Sequence, residues 1–162
     1  MAMGQGVEWA VHTCVLLAAV PPDRGMAAAK LAEFHDLPPA YLAKQLQGLA
    51  AAGIVRSVPG RRGGYRLAHP AAEVTVLDVV RAVEGSAPAF RCTEIRQQGP
   101  AAVGRAHYRQ PCGIARVMWD AEAAWREVLA ATTVQDLLVE VATTAAPVAI
   151  RRTTDFLQEA AR

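Results

Sequence analysis

Three cysteines, Cys14, Cys92 and Cys112, are too few and too scattered among 162 residues for a disulfide framework. They leave metal binding, redox sensing or plain burial, to be weighed one by one. No basic and apolar leader precedes a small-residue cleavage site, and the longest apolar run, residues 11–22, is broken by His12 and Thr13. The chain is therefore expected to be cytoplasmic and to make no use of a membrane. The absence of internal repeats excludes a solenoid. Charged residues are only 20% of the chain, too little for a disordered polymer, whereas hydrophobic residues at 52% are enough to bury a core. Much of that apolar content is alanine, a strong helix former of small volume, so a mainly helical protein with close helix contacts is expected.

Helical spacing predicts a largely buried helix over Val7–Val20, apolar almost all round, ended by the Pro21–Gly25 turn. A short helix over Met26–His35 follows. After Leu37-Pro38-Pro39, a helix over Tyr41–Ala52 carries Leu42, Leu46 and Leu49 on one face and stops at Gly53. The β-branched run Ile54–Val58, a Gly- and Arg-rich turn and Tyr65-Arg66-Leu67 read as a β-hairpin. Two helices on a tight turn followed by a hairpin form a winged helix-turn-helix, closed by a helix over Val76–Gly85. Residues 86–112 have no period and are long for a connection, so they are expected to be functional. Gly113–Ala131 is a long amphipathic helix suited to a dimer interface, and Thr133–Ala142 a shorter one. The expected organisation is a DNA-binding domain at 1–85, a cofactor loop at 86–112, dimerisation helices at 113–145 and a tail with some helix at 146–162.

The net charge of +2 is unevenly distributed. Residues 1–70 hold seven Lys/Arg against four acids, and residues 71–162 hold ten against eleven, so attraction to a polyanion belongs to the N-terminal half. A recognition helix offers the side chains of its first turns to the major groove, here Tyr41, Lys44 and Gln45. In the hairpin, Arg56, Arg61, Arg62 and Arg66 fall within eleven residues without one acid. That arrangement suits phosphate or minor-groove contact better than a merely solvated hairpin. Ser57 joins them on the same strand.

These segments resemble the bacterial winged-helix repressors and activators that include IscR, NsrR and RsrR. The resemblance rests on Tyr41-Leu42, on 52–58 (AGIVRSV), on 63–68 (GGYRLA) and on 76–85 (VLDVVRAVEG), and it covers about residues 5–140. It implies a homodimer that binds a double-stranded DNA operator. Pro59-Gly60-Arg61-Arg62 departs from the common arginine-glycine-proline-glycine of that wing, which moves its positive charge.

Cluster-binding members of the group place three cysteines before the long helix, whereas this loop has only Cys92 and Cys112, separated by nineteen residues. From the residues alone a buried thiol pair, a disulfide or a metal site is equally open. Glu8 and His12, at i and i+4, are the only ionisable groups on an otherwise apolar helix. An ion pair, an exposed strip or metal ligation would each account for them. The resemblance narrows toward the RsrR type, which implies a [2Fe-2S] cluster with mixed ligation by Glu8, His12, Cys92 and Cys112, each protomer of the dimer giving one pair. His107 is the rival nitrogen ligand. Trp9 stands beside Glu8 either as core or as a gate that reorganises with the cluster, and Cys14 reads as a buried small residue.

Two other readings compete. One is a cofactor-free regulator with a Cys92/Cys112 thiol switch or a small-molecule effector. The other is an enzyme with a zinc site at Cys92, His107 and Cys112, which lacks a general base at metalloenzyme spacing, so no enzymatic activity is expected.

Overall fold

The computed structural model describes residues 3–60 and 63–160. Seven helices and one hairpin follow in the order α1 (Gln5–Ala18), α2 (Ala28–Phe34), α3 (Pro39–Ala51), β1 (Val55–Val58), β2 (Gly64–Leu67), α4 (Val76–Glu84), α5 (Gly113–Ala131), α6 (Val134–Thr144) and α7 (Pro147–Ala160). Short 3-10 turns lie at Ala71–Glu73, Ile95–Gln97 and Arg105–His107. The mainly helical fold with a two-stranded wing is the one the periodicity predicts. Among the described residues no helix is long and apolar enough to cross a membrane.

The chain divides into two compact units, residues 87–128 and residues 3–86 with 129–160. The larger one holds a core of Leu31, Leu42, Leu46, Leu49, Val55, Val79 and Val134, all essentially closed to solvent, with Ala10, Leu16 and Leu17 of α1. Leu42, Leu46 and Leu49 repeat at the spacing that puts them on one face of α3, and Pro39 opens that helix where a missing N–H costs nothing.

Two expectations need correction. Helix α1 is not buried all round: Val7, Ala10, Thr13, Cys14, Leu16 and Leu17 face the core, while Gln5, Glu8 and His12 are exposed. The other face, Val11 and Val15, is only half-covered. Residues 146–162 are not a loose tail either, because α7 fills most of that stretch. Phe156 stacks edge-on against Phe34 of α2 with ring centres 5.1 Å apart, and Lys30 lies 5.5 Å above the Phe156 ring. A tertiary aromatic anchor of about 0.5–1.5 kcal/mol thus holds a helix whose own period is weak.

Helices α4 and α6 start side by side. Val76 N–H donates to Thr132 and Val134 N–H donates to Val74, both at 2.9 Å. Each helix opens with the same capping box: the Thr75 hydroxyl accepts from Asp78 N–H at 3.1 Å while Asp78 accepts from Thr75 N–H at 3.0 Å, and Thr133 and Asp136 repeat it. Thr133's hydroxyl and backbone bonds hold the Asp136 carboxyl below its ordinary range. A depressed folded-state value stabilises above the unfolded value, and that stabilisation fades as pH falls through the acid range. Thr75→Ala removes one box, and thermal unfolding is expected to show a loss of about 1 kcal/mol.

Candidate nucleic-acid interface and thiol loop

Helices α2 and α3 are joined by a turn in which Asp36 takes a left-handed conformation and Leu37 N–H donates back to Ala32 at 2.9 Å. This closes α2 and aims α3 outward. On α3, Tyr41 and Lys44 are exposed, as the groove-reading role requires. Gln45 is not: only 9% of it is accessible, and its amide sits against the backbone of Gly6, where a methyl group would come within 2.7 Å of its nitrogen. The expectation that Gln45 is offered to base edges is therefore corrected. The i+3 step from Leu42 and the neighbouring Leu46 and Leu49 put it on the inward side of the helix.

Strands β1 and β2 pair antiparallel with Arg56 opposite Arg66 and Ser57 opposite Tyr65. Arg56 and Ser57 are exposed, whereas Arg66 turns back, its guanidinium donating to the Pro22 carbonyl at 2.8 Å. Met26 and Tyr65 exchange two backbone hydrogen bonds of 2.8 Å, so the wing is fastened to the chain just before α2. Gly64 makes that approach possible, since a Cβ there would meet the Met26 carbonyl at 2.4 Å. Arg61 and Arg62 lie outside the described residues.

Helix α1 touches the helix-turn-helix through two of the predicted site residues. Trp9, half-buried, lies edge-on to Tyr41 with ring centres 6.0 Å apart. His12 lies 5.8 Å from the ring of His35 at the end of α2. Burial first, and then the charge of His12, lowers the His35 pKa. Cys14 is closed to solvent, and burial pushes its thiol up to about 12, leaving it a neutral, inert group.

In the smaller unit, Cys92 and Cys112 are half-buried free thiols. Three residues that the sequence reading did not single out organise the loop around them. Glu94, in a left-handed conformation, accepts from the Cys92 thiol at 3.3 Å and returns its own N–H to Sγ at 3.4 Å. Arg96 donates to Glu94 at 2.7 Å and to the Gln110 carbonyl at 3.4 Å, so it ties both limbs of the loop together. Its guanidinium stacks 4.5 Å from the centre of the Tyr108 ring, and Tyr108 donates its hydroxyl to the Arg96 carbonyl. The Arg96 bond, followed by the Cys92 bond, holds the Glu94 carboxyl below its usual range. Cys112 acts on the same guanidinium, contributing to the rise in its pKa after Glu94. Both cysteines thus border one fixed cation. Glu122 of α5 pins the start of the loop by accepting from Ala89 N–H at 3.0 Å. His107 is exposed in its 3-10 turn.

Among the described residues, no three His, Cys, Asp or Glu side chains of one chain gather at metal-binding spacing. The four expected ligands divide two and two between the units. Their chemistry nonetheless matches the group: two thiols outside any disulfide, one imidazole and one carboxylate make the four donors that two tetrahedral irons sharing two sulfides require.

A family model, Rrf2, described as iron-dependent transcriptional regulator, matches residues 3–140. The chain is 33% identical over 138 residues to Rv1287 of Mycobacterium tuberculosis, named as an HTH-type transcriptional regulator, covering 85% of this chain and 81% of that one. The oxidised form of Staphylococcus aureus CymR is similar with a TM-score of 0.63 and 26% identity, over 85% of this chain and 96% of the other. IscR from T. potens shares the fold, with a TM-score of 0.67 at 22% identity over 90% and 93% of the two chains.

Proposed function

This chain belongs to the Rrf2 family of DNA-binding transcriptional regulators, and on that premise we propose that its operator affinity is set by a [2Fe-2S] cluster bridging a homodimer. Cys92 and Cys112 of one protomer would hold the cluster together with Glu8 and His12 of the other. When bound, such a cluster supplies a one-electron redox centre, and nitrogen and oxygen donors in place of thiolates raise its potential.

The observation that carries this reading is the position of Glu8 and His12. Both are exposed on a helix that is otherwise apolar, and the same helix touches the two helices of the DNA-binding motif through Trp9–Tyr41 and His12–His35. A shift of α1 is thereby felt at the exposed end of α3. Arg96 places a positive charge beside thiolates that must lose their protons to ligate. For the dimer, α5 supplies an apolar stripe at helical spacing: Ile114, Val117, Met118 and Val128 are 70, 67, 44 and 65% exposed in one chain. An apolar face of that extent is what an interface covers. A colourless, iron-free protein after anaerobic purification would overturn the cluster reading.

Tyr41, Lys44, Arg56 and Ser57, with Arg61 and Arg62, form the DNA-contacting set. Lys44→Gln and Arg56→Gln are expected to weaken binding about equally on all sequences and each to reduce the salt slope of the affinity by about one. Binding isotherms at several salt concentrations read this directly.

A second reading, a cofactor-free switch in which Cys92 and Cys112 form a disulfide, is favoured by the likeness to CymR, a structure solved in an oxidised form. Iron and sulfide analysis separates the two.

A further inference from the structure

The end of α1, the turn that follows it, α6 and α7 enclose a cavity of about 950 Å³. Ala142, Ala145 and Ala149 leave the space open, and Leu138, Val141 and Leu157 make its lining apolar. Arg24 supplies its one cation, and no carboxylate lines it. Sites that hold small organic molecules have this size and this character, apolar with a few convergent polar groups. Helix α7 lies beyond residue 140, where the family match ends, so one wall is built outside the part shared with the relatives.

The wall carrying Arg24 also holds the wing. Pro21 lines the cavity and accepts from Arg24 N–H at 3.0 Å, Pro22 accepts from Arg66, and Met26 pairs with Tyr65. One six-residue turn therefore has the cavity on one side and both wing fastenings on the other.

We propose that this cavity binds an apolar monocarboxylic acid, its chain between α6 and α7 and its carboxylate on Arg24, and that occupancy moves the wing through the turn at 21–26. The acid is a second input, independent of the cluster. Only its output rests on DNA binding.

The test titrates the full-length apo protein, without DNA, with decanoate and with 1-decanol. Decanoate should bind once per chain and at least about tenfold more tightly than the alcohol, the difference a charge-assisted contact makes. Arg24→Gln should bring decanoate down to the level of 1-decanol and leave the alcohol unchanged. Ala149→Trp, which fills the cavity, should abolish both while circular dichroism shows the helix content retained. Operator affinity should respond to decanoate in the wild type and in neither variant. The proposal is overturned by the absence of saturable binding, by decanoate affinity that survives both substitutions, or by a wild type that binds no decanoate and an Ala149→Trp protein that loses its dimer. That last pattern would mean a second copy of the chain covers the groove. Because binding is read on apo protein, failure of the cluster reading leaves this result standing.

Discussion

Gly64→Ala is expected to cost about 3 kcal/mol and to detach the wing. Gly64 has φ +119°, in the region that disfavours any side chain, and a Cβ would lie 2.4 Å from both the carbonyl carbon and oxygen of Met26 and 2.7 Å from Ala27 N. All three are backbone atoms that cannot rotate aside, so the Met26–Tyr65 pair must separate. For a chain of this size the melting temperature should fall by roughly 10 °C. The useful control is Gly53→Ala: Gly53 also has a positive φ of 73°, but nothing lies within 4 Å of its would-be Cβ. It should lose only the conformational preference, about 1 kcal/mol. Equal losses at the two positions would show that the wing fastening contributes nothing. In operator binding, Gly64→Ala should weaken affinity beyond the effect of any single phosphate contact, while Gly53→Ala should leave it close to wild type.

The second large effect concerns the loop thiols. Cys92→Ser and Cys112→Ser should each leave anaerobically purified protein with at least tenfold less iron and sulfide and without the visible absorption of the cluster, because a neutral hydroxyl does not replace a thiolate. Glu8→Ala and His12→Ala should lose it as well, each removing one of the four donors. Two substitutions discriminate. Cys14→Ala, at a buried thiol that stays protonated, should retain the cluster with only a modest stability loss. His107→Ala should retain it too, whereas its loss there with retention in His12→Ala would move the nitrogen ligand from α1 to the loop. If every variant keeps iron, the four-ligand set is wrong.

How much of this was legible in the sequence varied with how local the cause was. The boundaries of α5, Gly113–Ala131, could be read directly because its apolar stripe is long and the capping threonine of the next helix follows at once. The wing could be read because Gly63-Gly64-Tyr65 and the acid-free arginine run both point to it. Helix α7 could not be read, since what holds it is Phe156 on Phe34, two residues 122 positions apart. Gln45 failed for a related reason: polarity suggested the groove, but packing against Gly6 of another helix decided its direction. On α1, composition suggested burial on every side, whereas the core has room to cover only one face. The loop network of Glu94, Arg96 and Tyr108 left no periodic trace at all. It depends on a left-handed Glu94 and on contacts across the loop, neither of which a residue spacing encodes. Glu8 and His12 lie between these cases. Their pairing on one face was visible, and their exposure sharpens it: two polar donors presented outward rather than buried as an ion pair.

The most direct test of cluster-controlled DNA binding is fluorescence anisotropy on a duplex selected from random sequence, comparing oxidised, reduced and apo protein at one salt concentration. The account predicts that operator affinity differs by at least about tenfold between the forms, a coupling of ordinary size for a two-state regulator, and that His12→Ala removes the difference. Identical isotherms for all three forms would contradict it.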